Sequence, residues 1–236
     1  MNLLDLAILA VFVFFVLSGV YRGFLPTLLS IAAYILSWLL ALIFLPAGAK
    51  AITANQSLYN QMLYYTEGSE YVGDVELAKT DISNIGAAEL AEILDSADLP
   101  YPMAKQINRN MAKEAFAGEG VTTLGDYFNQ TIVRVFISII SFLCFFALFR
   151  ALMSFLINGV DYAWKFPRLR AGDQLLAGGL GLIRGILAVF LLFMLLPLVL
   201  IVLAGKLAFV TELVDGSLFS NFFYRSNFLL SMMPGT

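Results

Sequence analysis

Four long apolar runs set the pattern of this chain, at about Leu3–Val20, Phe24–Leu45, Ile132–Ile157 and Leu180–Ala204. A helix needs about 20 apolar residues to cross a bilayer, and each run approaches or exceeds that length. Small residues recur inside the runs at helical spacing. In the second run Gly23, Ser30 and Ser37 are spaced by seven, with Ala33 between them, which predicts a packing seam. In the third, Ser141, Cys144, Ala147, Ala151 and Ser154 recur at steps of three and four, predicting a second seam. Around the start of the fourth, Ala177, Gly181 and Gly185 are four apart; on one helix face they would let a neighbouring helix approach closely. Pro197 predicts a kink late in that helix, and Pro26 sits in the first turn of the second, where proline is tolerated.

The pattern predicts an all-α membrane protein. Residues 1–45 form a transmembrane helical hairpin, with Arg22 in its short turn. Residues 46–130 form an acidic, helical extracytoplasmic insert. Residues 131–204 hold transmembrane helices 3 and 4 with a basic connection, and residues 205–236 form an amphipathic interfacial tail. The third helix is expected from near Asp126 to Asn158, with Arg134 snorkelling near one end. Within the insert, Ala87–Ala97 and Met103–Ala117 read as short amphipathic helices, the first capped by Ser83 or Asn84 and the second closed by Gly118. In the tail, Leu218, Phe222, Phe223, Phe228 and Leu229 suggest a helix lying on the membrane surface.

Charge orients this arrangement. Residues 50–130 carry five basic and twelve acidic residues, a balance of −7, whereas the remainder carries nine basic and five acidic, a balance of +4. The first-to-second connection holds Arg22, and the third-to-fourth holds Lys165, Arg168 and Arg170, after the interfacial pair Tyr162 and Trp164. By the positive-inside rule both connections face the cytoplasm, so both termini and the acidic insert face outward. The segment before the first run, Met1-Asn-Leu-Leu-Asp5, has no basic residue, so it reads as a retained helix and not a cleaved signal.

The chemistry available is narrow. There is no histidine, the commonest general base and metal ligand. The single cysteine, Cys144, lies in an apolar helix and forms no intrachain disulfide. Asp74, Glu76, Asp81, Asp95 and Asp98 do not have the spacing of a calcium loop and read as a solvated acidic face. No cofactor, metal or catalytic residue is expected. No basic face is available for nucleic acid, and an intramembrane protease would want a serine–histidine pair or two buried aspartates. The expected partners are the lipid bilayer, a protein meeting residues 46–130, and a second copy of the chain. Three arginines stand out: Arg22, Arg150 and Arg184. A charge as deep as Arg150 needs a partner, water or a headgroup. Either the three anchor helix ends to phosphates, or they line a path for an anion.

A short repeat links the two ends of the pattern. Gly19-x-x-Arg22-Gly23-x-Leu25 matches Gly181-x-x-Arg184-Gly185-x-Leu187, each copy placing an arginine between glycines where an apolar helix begins. These residues carry a resemblance. Asp5-Leu-Ala7-Ile8, followed by Arg22-Gly23-Phe24, resembles the start of the bacterial colicin V production protein family. Asp173-x-x-Leu176 followed by Gly181-x-x-Arg184-Gly185-x-Leu187 resembles its second motif, and Ser217-Leu218 with Tyr224 ahead of Pro234 resembles its end. The likeness covers the four helices and not the acidic insert. It departs at Thr27, where the family often has an acidic residue, and at Ala177, where it has glycine. It implies a multi-pass protein of the bacterial plasma (inner) membrane with a role in toxin production or export and in envelope homeostasis. It makes Asp5, Arg22, Gly23, Asp173, Gly181, Arg184 and Gly185 the motif residues. Two roles stay open: a non-enzymatic scaffold or accessory factor, and a small channel or transporter for an anionic or lipid-like substrate.

Overall fold

The computed structural model describes residues 2–164, 173–203 and 208–235. In chain order the helices are α1 (Leu3–Arg22), α2 (Phe24–Ala54), α3 (Gln56–Thr66), α4 (Val75–Ala78), α5 (Ala87–Ser96), α6 (Met103–Ala112), α7 (Leu124–Trp164), α8 (Asp173–Phe193), α9 (Leu196–Val202), α10 (Ala208–Asp215), α11 (Leu218–Arg225) and α12 (Phe228–Ser231). Among the described residues there is no strand, only an isolated bridge between Asp81 and Thr123. Leu3–Arg22, Phe24–Ala54, Leu124–Ala163 and Asp173–Val202 are long and apolar enough to cross a membrane. The basic connection at Lys165, Arg168 and Arg170, the Trp164 side chain and the start of the tail at Gly205 lie outside the described residues. The chain forms two compact units. One comprises Met1–Leu45, Phe142–Met194 and Ala208–Asn227; the other comprises Pro46–Ser141, Leu195–Leu207 and Phe228–Thr236. Both α2 and α7 contribute to each.

In the first unit α1 lies antiparallel on α8. Ala177, Gly181 and Gly185 are buried on one face of α8, and α1 presents Gly19 to it. The approach is close enough for backbone to meet backbone. A Cβ added at Gly19 would collide with the Ala177 carbonyl oxygen, and one at Gly181 with the Phe15 carbonyl oxygen, 3.0 Å from Val16 Cα. A Cβ at Gly185 would meet Phe12 and Phe15 side-chain atoms at 3.2 and 3.3 Å. Lipid chains are as apolar as leucine, so such van der Waals contact replaces the hydrophobic drive available in water. Gly179, on another face, has open space around it.

The α1–α2 connection is a single residue, Gly23, at φ +90°, a conformation that costs an L side chain strain. The expected α2 stripe is buried, with Ser30 and Ala33 on it and Ser37 fully enclosed. Thr27 and Ser37 donate their hydroxyls to the carbonyls of Gly23 and Ala33, each at 2.7 Å, so their burial leaves no unmade bond. The stripe of small residues expected along α7 is only partly used: Ser141 is buried and Ser154 half-buried, but Cys144, Ala147 and Ala151 are exposed. Aromatic rings take the α2-facing side instead. Phe146 meets Tyr34 edge-on at 5.0 Å, and Phe44 meets Phe145 and Phe149 at 5.8 and 5.3 Å. Such pairs add about 0.5–1.5 kcal/mol each beyond their burial, whereas a second close-packed face would require the rings to leave.

The tail is not one surface helix. It folds as α10, α11 and α12, and the first two pack on the first unit. Phe223 sits among Phe12, Phe190 and Phe193 at 6.0, 5.0 and 6.1 Å. Leu218 and Phe222, by contrast, remain exposed. The α8 helix ends before Pro197: the chain turns at Met194 and Leu195, and Pro197 enters the first turn of α9, since its ring cannot follow a carbonyl four residues back.

The second unit has a packed core of its own. Met103, Ile107, Phe116, Leu124, Tyr127, Phe128 and Ile132 are all fully buried in it. Helix α5 has Gly86 at its N-cap position, not Ser83 or Asn84. Those two belong to a short 3-10 turn capped by Asp81, whose carboxylate accepts from the Ser83 hydroxyl at 2.6 Å and its N–H at 2.9 Å, which holds the carboxyl below its ordinary pKa. Helix α6 ends at Ala112, short of Gly118, because Glu114 adopts φ +47° and the Ala115 N–H returns to the Asn110 carbonyl at 2.9 Å, a Schellman-type stop without glycine. Arg134 does not snorkel. It forms an ion pair with Glu119 at 2.6 Å, and its guanidinium lies 4.7 Å from the Phe116 ring centre. The end of the chain is held by buried amides and a hydroxyl. Gln106 donates to the Met233 carbonyl, Asn110 to that of Gly235 and Ser138 to that of Pro234, at 2.8–2.9 Å.

Two outcomes follow for purified protein. Gly181→Ala should lower thermal stability by about 1–3 kcal/mol, as expected of overpacking in a tight contact, while Gly179→Ala should leave it unchanged. A melting series in detergent checks both. Asn110→Leu should destabilise by about 1–3 kcal/mol, because the Gly235 carbonyl loses its buried donor; faster proteolysis of the last residues in Asn110→Leu would accompany the loss.

Candidate functional site

Three helices of the first unit bring arginines into one cavity. Arg22 is the last residue of α1, Arg150 lies in the second half of α7, and Arg184 lies in the middle of α8. Arg22 therefore stands just ahead of the start of α2, as the sequence pattern implied, whereas Arg184 lies about three turns inside α8 and not where a helix begins. The cavity has a volume of about 420 Å³ and is lined by these three, by Ser30, Ser154, Asn158 and Asp161, and by Tyr21, Pro26 and Ile157. Among the described residues the wall carries three guanidinium groups and one carboxylate, a balance of +2.

Each arginine is positioned by different contacts. Arg22 is exposed and is set by the Gly23 turn that follows it. That turn is fixed in two ways. The Gly23 N–H closes on the Gly19 carbonyl at 2.9 Å, and the Phe24 N–H donates to the Asp173 carboxylate at 3.1 Å. Asp173 thus supplies the first free N–H of α2 with an acceptor, as an N-cap side chain would, while standing in the first turn of α8. A Cβ at Gly23 would come within 3.1 Å of the other Asp173 oxygen. The motif residues Arg22, Gly23 and Asp173 are therefore one junction. Arg150 donates from Nη2 to the Ser30 hydroxyl at 2.9 Å and lies 5.6 Å from the Tyr34 ring centre. Arg184 lies 5.0 Å from the Phe15 ring centre. A guanidinium over a ring gains about 0.5–2 kcal/mol, with the larger figure when water is excluded. Arg150 Nη1 and Arg184 Nε are buried and have no hydrogen-bond partner among the described residues.

Asp5, the remaining motif acid, does different work at the other end of α1. It is fully buried. It accepts from the Asn2 N–H at 2.9 Å, from the Ser217 hydroxyl at 2.6 Å and from the Phe219 N–H at 3.2 Å. Asn2 closes a capping box on α1 and also donates to the Leu213 carbonyl at 2.6 Å. The two ends of the family-like pattern, Asp5 and Ser217, are thus direct partners. The pairing of α1 with α8 was readable only in part from spacing, and the partner of Asp5 was not readable. The polar wall of the cavity did leave a signal: Arg150, Ser154, Asn158 and Asp161 step along α7 by four, four and three, one face of a helix.

The fold and this site define an all-helical, multi-pass membrane protein with a cationic cavity among its helices. Residues 4–68 match the family model described as colicin V production protein. The matched stretch contains Asp5, Arg22 and Gly23 and runs through α3 into the insert; the second motif and the tail lie beyond it. No curated protein and no solved structure matches the chain.

The Asp5 contacts predict a latch. In Asp5→Asn one oxygen becomes an N–H donor facing other donors, and a buried acceptor is lost. The α10–α11 segment should then be cut by protease several-fold faster than in wild type, with α1 still inserted. Equal cleavage would show that aromatic packing alone holds the tail.

Proposed function

We propose that this chain is a non-enzymatic membrane accessory protein of colicin V production, and that its working site is the arginine cavity, which holds an anionic group. The observation that carries this reading is the convergence of Arg22, Arg150 and Arg184 from three helices on one polar cavity. Arginines that only anchor helix ends would point singly to headgroups, each at its own helix end. Bringing like charges together costs about 2 kcal/mol for a pair ~8 Å apart at an effective dielectric of ~20, and a bound anion offsets that cost. The same convergence favours, as a second reading, a small channel or transporter for an anionic or lipid-like substrate. Within the proposal the protein resides in the bacterial plasma (inner) membrane, with both termini and residues 46–130 outside. The acidic surface of the insert meets a protein partner, a second copy of the chain packs alongside, nucleic acid is not a ligand, and the wider role is in envelope homeostasis.

Two experiments test this. Arg184→Lys keeps the charge but loses the planar fork. It should be as abundant in the membrane as wild type yet reduce colicin V release at least tenfold, whereas full activity would restore the simple anchor. For orientation, a cysteine at the exposed Ser96, with Cys144 replaced, should react with an impermeant thiol reagent in intact cells. Reaction only after permeabilisation would reverse the topology.

A further inference from the structure

We infer that the anion held in this cavity is a phosphate group in its dianionic, singly esterified or free form; the inference rests on the anion reading and names its ligand class. Geometry separates a phosphate from a carboxylate. A carboxylate is planar with two oxygens, and one arginine fork can engage both. Here the guanidinium groups come from α1, α7 and α8, so donors approach from three sides. A tetrahedral group with three free oxygens offers each guanidinium an oxygen of its own, whereas a planar carboxylate has two oxygens to share among three. The forks are held in advance: Arg150 by Ser30 and the Tyr34 ring, Arg184 by the Phe15 ring. Charge separates one kind of phosphate from another. The balance of +2 on the described residues of the wall complements a monoester, which carries about −1.5 to −2 at neutral pH, better than a diester with a single charge. The volume of about 420 Å³ and the apolar Pro26 and Ile157 in the wall leave room for an attached organic part. A monoester can come from the membrane, as a lipid with a terminal phosphate, or from solution.

The test uses the full-length chain in detergent and in vesicles. Melting is followed with inorganic phosphate, a soluble phosphate monoester or succinate. In parallel, binding is measured to phosphatidylcholine vesicles containing phosphatidic acid or phosphatidylglycerol. Saturable stabilisation by a phosphate monoester or by phosphatidic acid is expected, at least tenfold tighter than by succinate or phosphatidylglycerol and weakened at least tenfold in Arg150→Gln. Arg184→Lys, which keeps charge and helix, should show an intermediate loss with the ligand-free melting point unchanged. Response to phosphatidic acid alone assigns the group to a lipid; response to the soluble ester as well assigns it to solution. Equal binding of succinate overturns the phosphate inference while leaving the anion reading intact, and no response to any anion overturns both.

Discussion

Backbone contact between α1 and α8 is the constraint on which the first unit depends. Ala177, Gly181 and Gly185 leave a strip of α8 without side-chain bulk, and Gly19 completes it from α1. Because the strip is bare, the register of the two helices is fixed by where the glycines fall. That register brings Asp173 to the Gly23 turn, so one carboxylate serves the start of α2 from the first turn of another helix. It also puts Phe15 beneath Arg184. The tight turn, the arginine platform and the cavity wall are consequences of a single packing choice.

A cavity with three arginines is an unfavourable object unless its surroundings compensate. Rings under two of the guanidinium groups, the Ser30 hydroxyl and the Asp161 carboxylate in the wall provide part of that compensation. Among the described residues the three guanidinium groups come from separate helices, and the phosphate proposed above would supply the remainder. Folding and the charge of the cavity are therefore coupled: the residues that make the site charged are also those that α1 and α8 must hold apart from lipid.

The long apolar runs, the glycine face of α8 and the α2 stripe were legible because each is a local property of period and residue size. The α7 stripe of small residues misled for a physical reason. Spacing shows which residues share a face but not which face is used, and the rings of Phe145, Phe146 and Phe149 claimed the α2 side. Glu114 ended α6 where a glycine was sought, since local hydrogen bonds can hold a non-glycine residue at positive φ. The Asp5–Ser217 bond spans 212 positions; no periodicity reports a contact of that range. Arg22, Arg150 and Arg184 were visible as unusual charges, but their convergence is a property of three helices together.

The most direct test of this account is a crosslink across the α1–α8 contact. A Cβ at Gly178 would lie 3.1 Å from Val20 Cγ2, a position that the sulfur of a cysteine at residue 20 can take, so the two side chains are close enough to be joined. With Cys144 replaced, Val20→Cys paired with Gly178→Cys should close rapidly under mild oxidation in native membranes, and Val20→Cys paired with Gly179→Cys should not. If the second pair closes as fast as the first, or if neither closes, α1 does not sit on the glycine face of α8, and the cavity assembled on that contact is wrong.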